Sequence, residues 1–161
     1  MRRRGFVSLA AALLTGCHGN RGMAEVVSMA DESLAPQLLR GFHAVEQGGW
    51  RWTESKFAVA LKPPRHASSN GATLELKCSL PETVLARDRE VNVAASIDGI
   101  PLPAAKITAS GIQELRWKVP PDALRGKSSV TAEFAVSPFL PPSDTDRREL
   151  GLIVHTAGLV K

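Results

Sequence analysis

Two tryptophans, Trp50 and Trp52, flank Arg51 and have side chains that could bind a ligand. In a β-strand, residues two apart point to the same face, so the two indoles share one side and the guanidinium takes the other. Indole faces can stack on the rings of a sugar, and they can also fill the interior of a domain in which only 5% of residues are aromatic. We predict the second arrangement, with both tryptophans in the core. Trp117 is predicted to be a core residue too, because apolar residues flank it at a spacing of two.

Four charged residues accompany the tryptophans near the two ends of the predicted domain: Glu46, Arg51, Asp146 and Arg148. Carboxylates and guanidinium groups hydrogen-bond well to the neighbouring hydroxyls of a sugar, which gives the set a ligand-binding interpretation. The same residues can instead form an ion-pair network that joins the two terminal segments of the domain. We favour the structural interpretation and keep the ligand-binding one open.

Both interpretations require the two segments to lie close together. In a Greek-key or jelly-roll sandwich the first and last strands are often neighbours. We therefore predict that residues 50–52 lie near residues 146–151, with Arg51 within salt-bridge reach of Asp146 or Glu149.

No recognised catalytic or metal-binding motif occurs in the chain. The four histidines are isolated from one another, and no cysteine joins them at the spacing of a metal site. Nucleophile elbows, phosphate-binding glycine loops and dinucleotide fingerprints are absent from the sequence as well. We predict a protein without cofactor, metal or enzymatic activity. Hydrolysis by a carboxylate pair assembled in space is a weaker alternative, since sequence does not give the separation of such a pair.

The N-terminal residues have the pattern of a bacterial lipoprotein leader. Three arginines at positions 2–4 precede an apolar run at 6–14, and Leu14-Thr15-Gly16-Cys17 matches a lipobox. The pattern predicts a signal peptide over 1–16, diacylglycerol on Cys17, and a lipid-anchored tether over 17–36. An ordinary cleaved signal, with Cys17 incidental, is the alternative. A twin-arginine export route is a second, less favoured alternative to the general one.

The leader also carries most of the net positive charge. The whole chain has a formal charge of +4, and removal of residues 1–16 takes away three arginines and no acidic residue, leaving about +1. Nucleic-acid binding needs a basic face, and no cluster beyond pairs of basic residues remains. We therefore exclude nucleic acid as a partner.

Residues 37–161 are predicted to form one all-β domain, an antiparallel β-sandwich of jelly-roll type. Apolar residues alternate with polar ones in several short runs, and turn residues such as Asp98-Gly99 separate them. Two sheets bury all the inward rows, whereas a single sheet would leave one face uncovered. Cys78 falls on an inward row and is predicted to be a buried, unreactive thiol. The runs are centred on residues 57–61, 73–80, 91–97, 115–119, 130–136 and 150–154.

The segments 41–46 and 50–53, together with the Asp-x-Arg-x-Leu-Gly motif at 146–151, resemble a family of small bacterial lipoprotein β-sandwich modules. Such modules occur alone or beside glycosyltransferase domains in cell-surface polysaccharide systems. The resemblance implies the sandwich fold and, less directly, a glycan or polysaccharide ligand.

The combined expectation is a non-enzymatic, lipid-anchored envelope protein that faces the periplasm or the cell exterior and carries a β-sandwich binding module. Its partners would be the membrane, through the lipid, and a glycan or an envelope protein. The alternative function is a structural or protein-interaction subunit of an envelope assembly. Exposed tryptophans beside a polar groove would favour sugar binding, and buried tryptophans with an apolar strand edge would favour a protein partner.

Overall fold

The computed structural model describes residues 22–161, so the predicted signal peptide and the lipidation site Cys17 lie outside the described residues. Within that range the chain forms ten β-strands, three short α-helices and one 3₁₀ helix (Glu32–Gln37). No helix in the described range is long and apolar enough to cross a membrane. The strands are β1 (Val26–Ser28), β2 (Leu38–Glu46), β3 (Trp50–Leu61), β4 (Ala72–Leu80), β5 (Val91–Ile97), β6 (Ile100–Pro101), β7 (Ala105–Ile107), β8 (Gly111–Val119), β9 (Val130–Ser137) and β10 (Ile153–Val160), and the helices are α1 (Ala67–Asn70), α2 (Glu82–Asp88) and α3 (Pro121–Leu124).

The strands form one curled antiparallel sheet in the order β6-β5-β9-β3-β10-β4-β8. The long strand β3 connects the two layers, because its first half pairs with β10 and its second half pairs with β9. Strand β2 runs along the other edge of β3, while β1 pairs with β10 and β7 pairs with β5. The architecture confirms the predicted all-β, antiparallel sandwich.

The alternating rows of apolar residues meet in a single core between the layers. The inward rows of β4, β5 and β9 are buried at every second residue, as predicted. Phe57 and Phe134 stack with their ring centroids 4.9 Å apart, and Trp117 lies 5.8 Å from Phe134. Cys78 is fully buried in this cluster, which confirms the strand register that placed it inward.

The predicted tether over 17–36 is wrong from Val26 onward, because the domain begins well before residue 37. Strand β1 pairs with β10, and Val27 and Met29 are completely buried in the core. The side chain of Gln37 holds this segment against β3, because it accepts a hydrogen bond from the backbone N–H of Ala24 and donates one to the carbonyl of Ala60. Strand β1 contains only one inward residue, Val27, and Met29 follows the end of the strand. Its partner strand is the last of the described range, so no local alternation indicated β1.

Candidate functional site: an aromatic and charged surface at the start of β3

Strand β3 turns Arg51 inward and the two tryptophans outward, which reverses the prediction. Arg51 and Thr53 are buried on the inner face, in the row that continues to Phe57 and the core. Trp50 and Trp52 are half-buried and belong neither to the core nor to the partly buried residues that pack against it. The interpretation of this pair as core residues is therefore wrong. Period-two counting backwards from the buried row at 57–61 gives the observed orientation.

Trp117, in contrast, is a core residue as predicted. Its ring is almost fully buried, and its indole N–H donates to the carbonyl of Pro103 at 2.8 Å. Such a partner is what a buried indole needs, since an unpaired buried N–H is costly. The three tryptophans of the chain thus divide into one core residue and two surface residues.

A tight turn between β2 and β3 positions the tryptophans. Gln47 and Gly48 both have positive φ, of 47° and 68°, and the N–H of Gly49 donates to the carbonyl of Glu46 at 3.1 Å. Glycine adopts the left-handed region without steric penalty, so the Gln-Gly-Gly sequence suits this turn. The turn places Glu46 directly opposite Trp50 in the antiparallel ladder. Cross-strand partners share a face of the sheet, so a carboxylate flanks the indole.

Three of the four predicted charged residues form one cluster around Arg148. The guanidinium of Arg148 lies 2.6 Å from Glu46 and 2.8 Å from Asp146. The backbone N–H of Arg148 also donates to Asp146. These bonds lower the pKa of Asp146 to about 2, the side-chain hydrogen bond from Arg148 being the larger cause, and they raise the pKa of Arg148 above its usual range. All three side chains remain about one-third exposed, so they can still reach a ligand.

Arg51, the fourth residue, lies apart from this cluster. Its guanidinium donates to Glu32 at 2.7 Å and to the carbonyls of His43 at 3.1 Å and Met29 at 3.4 Å. The predicted ion pair of Arg51 with Asp146 or Glu149 is therefore wrong. Arg51 points into the inner face, and the residue that meets it there comes from the 3₁₀ helix in the segment interpreted as a tether. Sequence reasoning missed Glu32 for that reason.

The predicted closeness of the two segments is nevertheless confirmed. The N–H of Thr53 donates to the carbonyl of Leu152 at 2.9 Å, and Ile153 lies opposite Trp52 in the ladder. Glu149 accepts a hydrogen bond from the backbone N–H of Ser55 at 2.7 Å. Hydrogen bonding from Ser55, first from its side chain and then from its backbone N–H, lowers the pKa of Glu149. Hydrogen bonds in which the backbone of β3 takes part thus hold the segment that begins at Asp146 beside this strand.

The Arg148 cluster spans β3 at the level of the tryptophans. Arg51 of β3 is opposite Val45 of β2 and also opposite Val154 of β10, so those two strands occupy opposite edges of β3. Glu46 belongs to the first of these strands and Arg148 precedes the second, so their ion pair bridges the two edges. We call the outward surface formed by Trp50, Trp52, Glu46, Asp146 and Arg148 the tryptophan surface.

A surface cavity adjoins the tryptophan surface. Its volume is about 360 Å³, and its walls include Arg87, Asp146, Arg148 and the proline-rich stretch 140–143. The cavity therefore offers two guanidinium groups and a carboxylate beside apolar ring surfaces. Nothing in residues 22–161 groups three or more potential metal ligands, so the described part of the chain offers no ready metal site.

The ionised groups and indole faces of this surface suit hydrogen bonding and stacking with a ligand. A glycosidase needs one carboxyl group with a raised pKa to protonate the leaving oxygen. Here the pKa of Asp146 is lowered by Arg148, so this carboxyl group stays ionised at neutral pH. Ionised carboxylates accept hydrogen bonds from hydroxyl groups, and guanidinium N–H groups donate hydrogen bonds to hydroxyl oxygens. Indole faces cover apolar C–H surface.

Comparisons with known proteins give likeness at the level of overall shape. No protein-family model and no curated protein matches the chain. Among solved structures, the GH115 4-O-methyl-α-glucuronidase BtGH115A matches at 12% identity and a TM-score of 0.48, covering 99% of this chain and 20% of the glucuronidase. The carbohydrate-binding module TmCBM27, described for specific mannan recognition, matches at 12% identity and 0.48, covering 85% of this chain and 95% of the module.

A third match is a structure of CBM51-2 in complex with GlcNAc and INT domains from Clostridium perfringens ZmpB, at 13% identity and a TM-score of 0.38. It covers 86% of this chain and 28% of that one. At such identities and TM-scores these likenesses carry no argument about function. The resemblance to lipoprotein modules of polysaccharide systems stays a prediction.

Proposed function

We propose that this protein is a lipid-anchored, non-enzymatic envelope protein whose β-sandwich binds a glycan through the tryptophan surface. The observation that carries the proposal is the outward orientation of Trp50 and Trp52. Transfer of apolar area from water is favourable by about 25 cal/mol per Å², so leaving two large indoles partly in water sacrifices stability that burial would provide. The same chain buries Trp117, Phe57 and Phe134. Partial exposure of two neighbouring indoles is a feature of binding surfaces.

The neighbours of the tryptophans support a sugar as the ligand class. Glu46 lies opposite Trp50 and is held by Arg148, which also holds Asp146. A sugar presents apolar C–H faces together with hydroxyl groups at its edge, and this surface offers indole faces together with charged donors and acceptors at its rim. The cavity beside Asp146 and Arg148 provides a concave extension in the same place.

A protein-interaction role is the second candidate, and Ile112 favours it. This residue lies on β8, at one end of the sheet order, and is 65% exposed. The outward row that follows it carries Glu114, Arg116 and Lys118. Charged residues along an edge strand oppose pairing with a strand from another chain. We therefore place the protein-partner alternative below the glycan proposal.

The glycan proposal is tested with protein extracted from membranes in detergent and applied to a glycan array. Trp50→Ala and Trp52→Ala should each weaken binding to the ligand found on the array by roughly 10-fold or more, as expected when a buried contact aromatic is truncated. Thermal stability should fall less than in Trp117→Ala, because neither indole belongs to the core whereas Trp117 does. Absence of any bound glycan, or binding that is unchanged in both variants, would contradict the proposal.

Arg116 offers a matched control for Arg148. Each arginine holds two carboxylates, but Arg116 binds Glu75 and Glu114 on the far strands of the sheet. Arg148→Ala should weaken glycan binding, and Arg116→Ala should leave it at the wild-type level. An equal effect of the two substitutions would indicate a general charge effect rather than a site.

The lipid anchor rests on the lipobox and is tested separately. Mass spectrometry of the N-terminal peptide should find acyl groups on Cys17, and Cys17→Ser should abolish partitioning into the detergent phase. Normal partitioning of that variant would refute the anchor without touching the glycan site.

A further inference from the structure

The end of the sandwich opposite the tryptophan surface holds a basic cavity. Its volume is about 460 Å³, and its walls carry Arg65, His66, Lys118 and Lys161 without any acidic side chain. Within residues 22–161 none of these four groups forms an ion pair. Elsewhere on the described surface most exposed arginines are paired, as Arg148 is. Arg65, Lys118 and Lys161 are cations that converge on one cavity and repel each other, so they favour an anion between them.

Strand register explains how residues far apart in sequence meet at this cavity. Thr73, at the start of β4, lies opposite Val160 of β10 on one edge and opposite Lys118 of β8 on the other. Lys161 directly follows β10, and Arg65 and His66 follow the end of β3. The cations are therefore carried by the ends of paired strands and by the short connection before α1, which fixes their spacing.

The N-terminal segment enters the sandwich at the same end. The N–H of Lys62, next to the end of β3, donates to the carbonyl of Ala24 at 3.0 Å, and the N–H of Leu159 donates to the carbonyl of Glu25 at 2.8 Å. Only six residues lie between Cys17 and Ala24, so the two Cα atoms are seven steps apart along the chain. Seven steps of fully extended chain span at most about 25 Å, so a lipid on Cys17 would keep this end of the domain near the bilayer.

We propose that the basic cavity binds the phosphate of anionic phospholipid headgroups in the membrane that holds the lipid anchor. The proposal rests on the proposed lipid anchoring, which decides between a headgroup phosphate and a free phosphate. Juxtamembrane cations of this kind are attracted to anionic leaflets. Trp50 and Leu61 mark the two ends of the 12-residue strand β3, which is about 35 Å long at the usual rise per residue. Headgroup binding at one end therefore directs the tryptophan surface away from the bilayer.

Hydrogen–deuterium exchange of the full chain on vesicles tests this proposal. The Cys17→Ser chain removes the anchor, so the result does not depend on acylation. Vesicles of phosphatidylcholine containing 30% phosphatidylglycerol should slow exchange at amides of residues 65–73, and pure phosphatidylcholine should not. The protection should disappear at high salt, because screening shortens the reach of exposed charges.

A double substitution and a matched control locate the effect. Arg65→Gln with Lys118→Gln should raise the lipid concentration for half-maximal protection roughly 25-fold, since each cation near an anionic surface contributes a factor of about 5. Arg116→Gln, two residues from Lys118 but engaged with Glu75 and Glu114, should leave that concentration near wild type.

Three outcomes would overturn the proposal. Equal slowing of exchange on both kinds of vesicle, or slowing that persists in the double variant, would show that the cavity does not bind anionic headgroups. Protection by 10 mM inorganic phosphate alone, without a further effect of phosphatidylglycerol, would indicate a site for a free anion. If the anchor proposal is wrong, Cys17 will be found unmodified. If the glycan proposal is wrong, array binding will be absent or unchanged in the tryptophan variants. Each proposal therefore has its own readout.

Discussion

Arg51 should be one of the most important residues for the stability of this domain, although it is charged. Its side chain is only 9% exposed, and its three hydrogen bonds connect β3 to Glu32, to Met29 after β1 and to His43 of β2. Hydrogen bonds of charged groups contribute about 1.5–3 kcal/mol each in net terms, and an unpaired buried carbonyl costs about 1–3 kcal/mol. Arg51→Ala removes all three bonds and leaves two carbonyls without their donor. We expect a loss of about 3–5 kcal/mol in the free energy of unfolding.

The partner carboxylate should matter much less. The side chain of Glu32 is 63% exposed, so Glu32→Gln loses an ion pair that water already screens, while Arg51 keeps both carbonyl partners. We expect Glu32→Gln to cost about 1 kcal/mol or less. The double variant should lose scarcely more than Arg51→Ala alone, because the two changes act on one contact.

Thermal and urea unfolding of the variants, followed by circular dichroism, measure these differences. For a domain of this size 1 kcal/mol corresponds to roughly 3 °C in the midpoint, so Arg51→Ala should lower it by about 10–15 °C. Arg40→Ala is the matched control: Arg40 lies on the neighbouring strand β2, pairs with Glu133 and is 57% exposed, so its loss should cost less than about 1 kcal/mol. A mild effect of Arg51→Ala, or equal effects of Arg51→Ala and Glu32→Gln, would refute the reasoning.

Two further predictions concern titrating groups. In a Cys17→Ser chain, Cys78 should react with a thiol reagent far more slowly in the native protein than after denaturation. Burial raises its pKa to about 12 from 9.0, so the thiolate fraction falls roughly a thousandfold; rapid native labelling would contradict this. Asp146 should titrate in the native protein near pH 2 by carbon-detected nuclear magnetic resonance, and Arg148→Ala should return the midpoint towards 3.8. Because its folded pKa lies below the unfolded value, its stabilising contribution is complete above about pH 4 and is lost as the pH falls through 2. Asp146→Asn should therefore flatten the loss of stability in that window, and a wild-type midpoint near 3.8 would refute the assignment.

The sequence was sufficient for the features that local alternation encodes. Runs such as 91–97 and 130–136 contain four inward residues each, long enough for the period of two to be unambiguous. The Asp98-Gly99 turn also occurs where predicted, with positive φ at both positions. Strand β1 was not predicted because three residues cannot display a period and because its partner, β10, is more than 120 residues away in sequence.

For the candidate site, the sequence predicted which segments lie together but not which side chains bind each other. Topology brings 50–52 beside 146–151 as predicted, although the prediction took 50–52 to lie on the first strand. The segment lies on β3, and both β1 and β3 pair with the last strand, β10. The choice of partners did not follow, because Arg148 and Arg51 lie on different faces and each binds the carboxylate within its reach. Side-chain direction decides that choice, and it depends on the face of each strand rather than on distance along the chain.

The two faces of β3 therefore perform separate tasks within one short segment. The inner face uses Arg51 and Thr53 to hold neighbouring segments together, since Thr53 accepts the N–H of Leu152 while Arg51 binds three groups. The outer face presents Trp50 and Trp52, whose truncation removes nothing from the core. Alternation thus lets adjacent residues serve different purposes: Arg51 serves stability, and Trp50 and Trp52 are available for the proposed binding of a ligand. It also explains why the composition argument failed, because scarcity of aromatic residues says how much apolar area is available and not which face of a strand receives it.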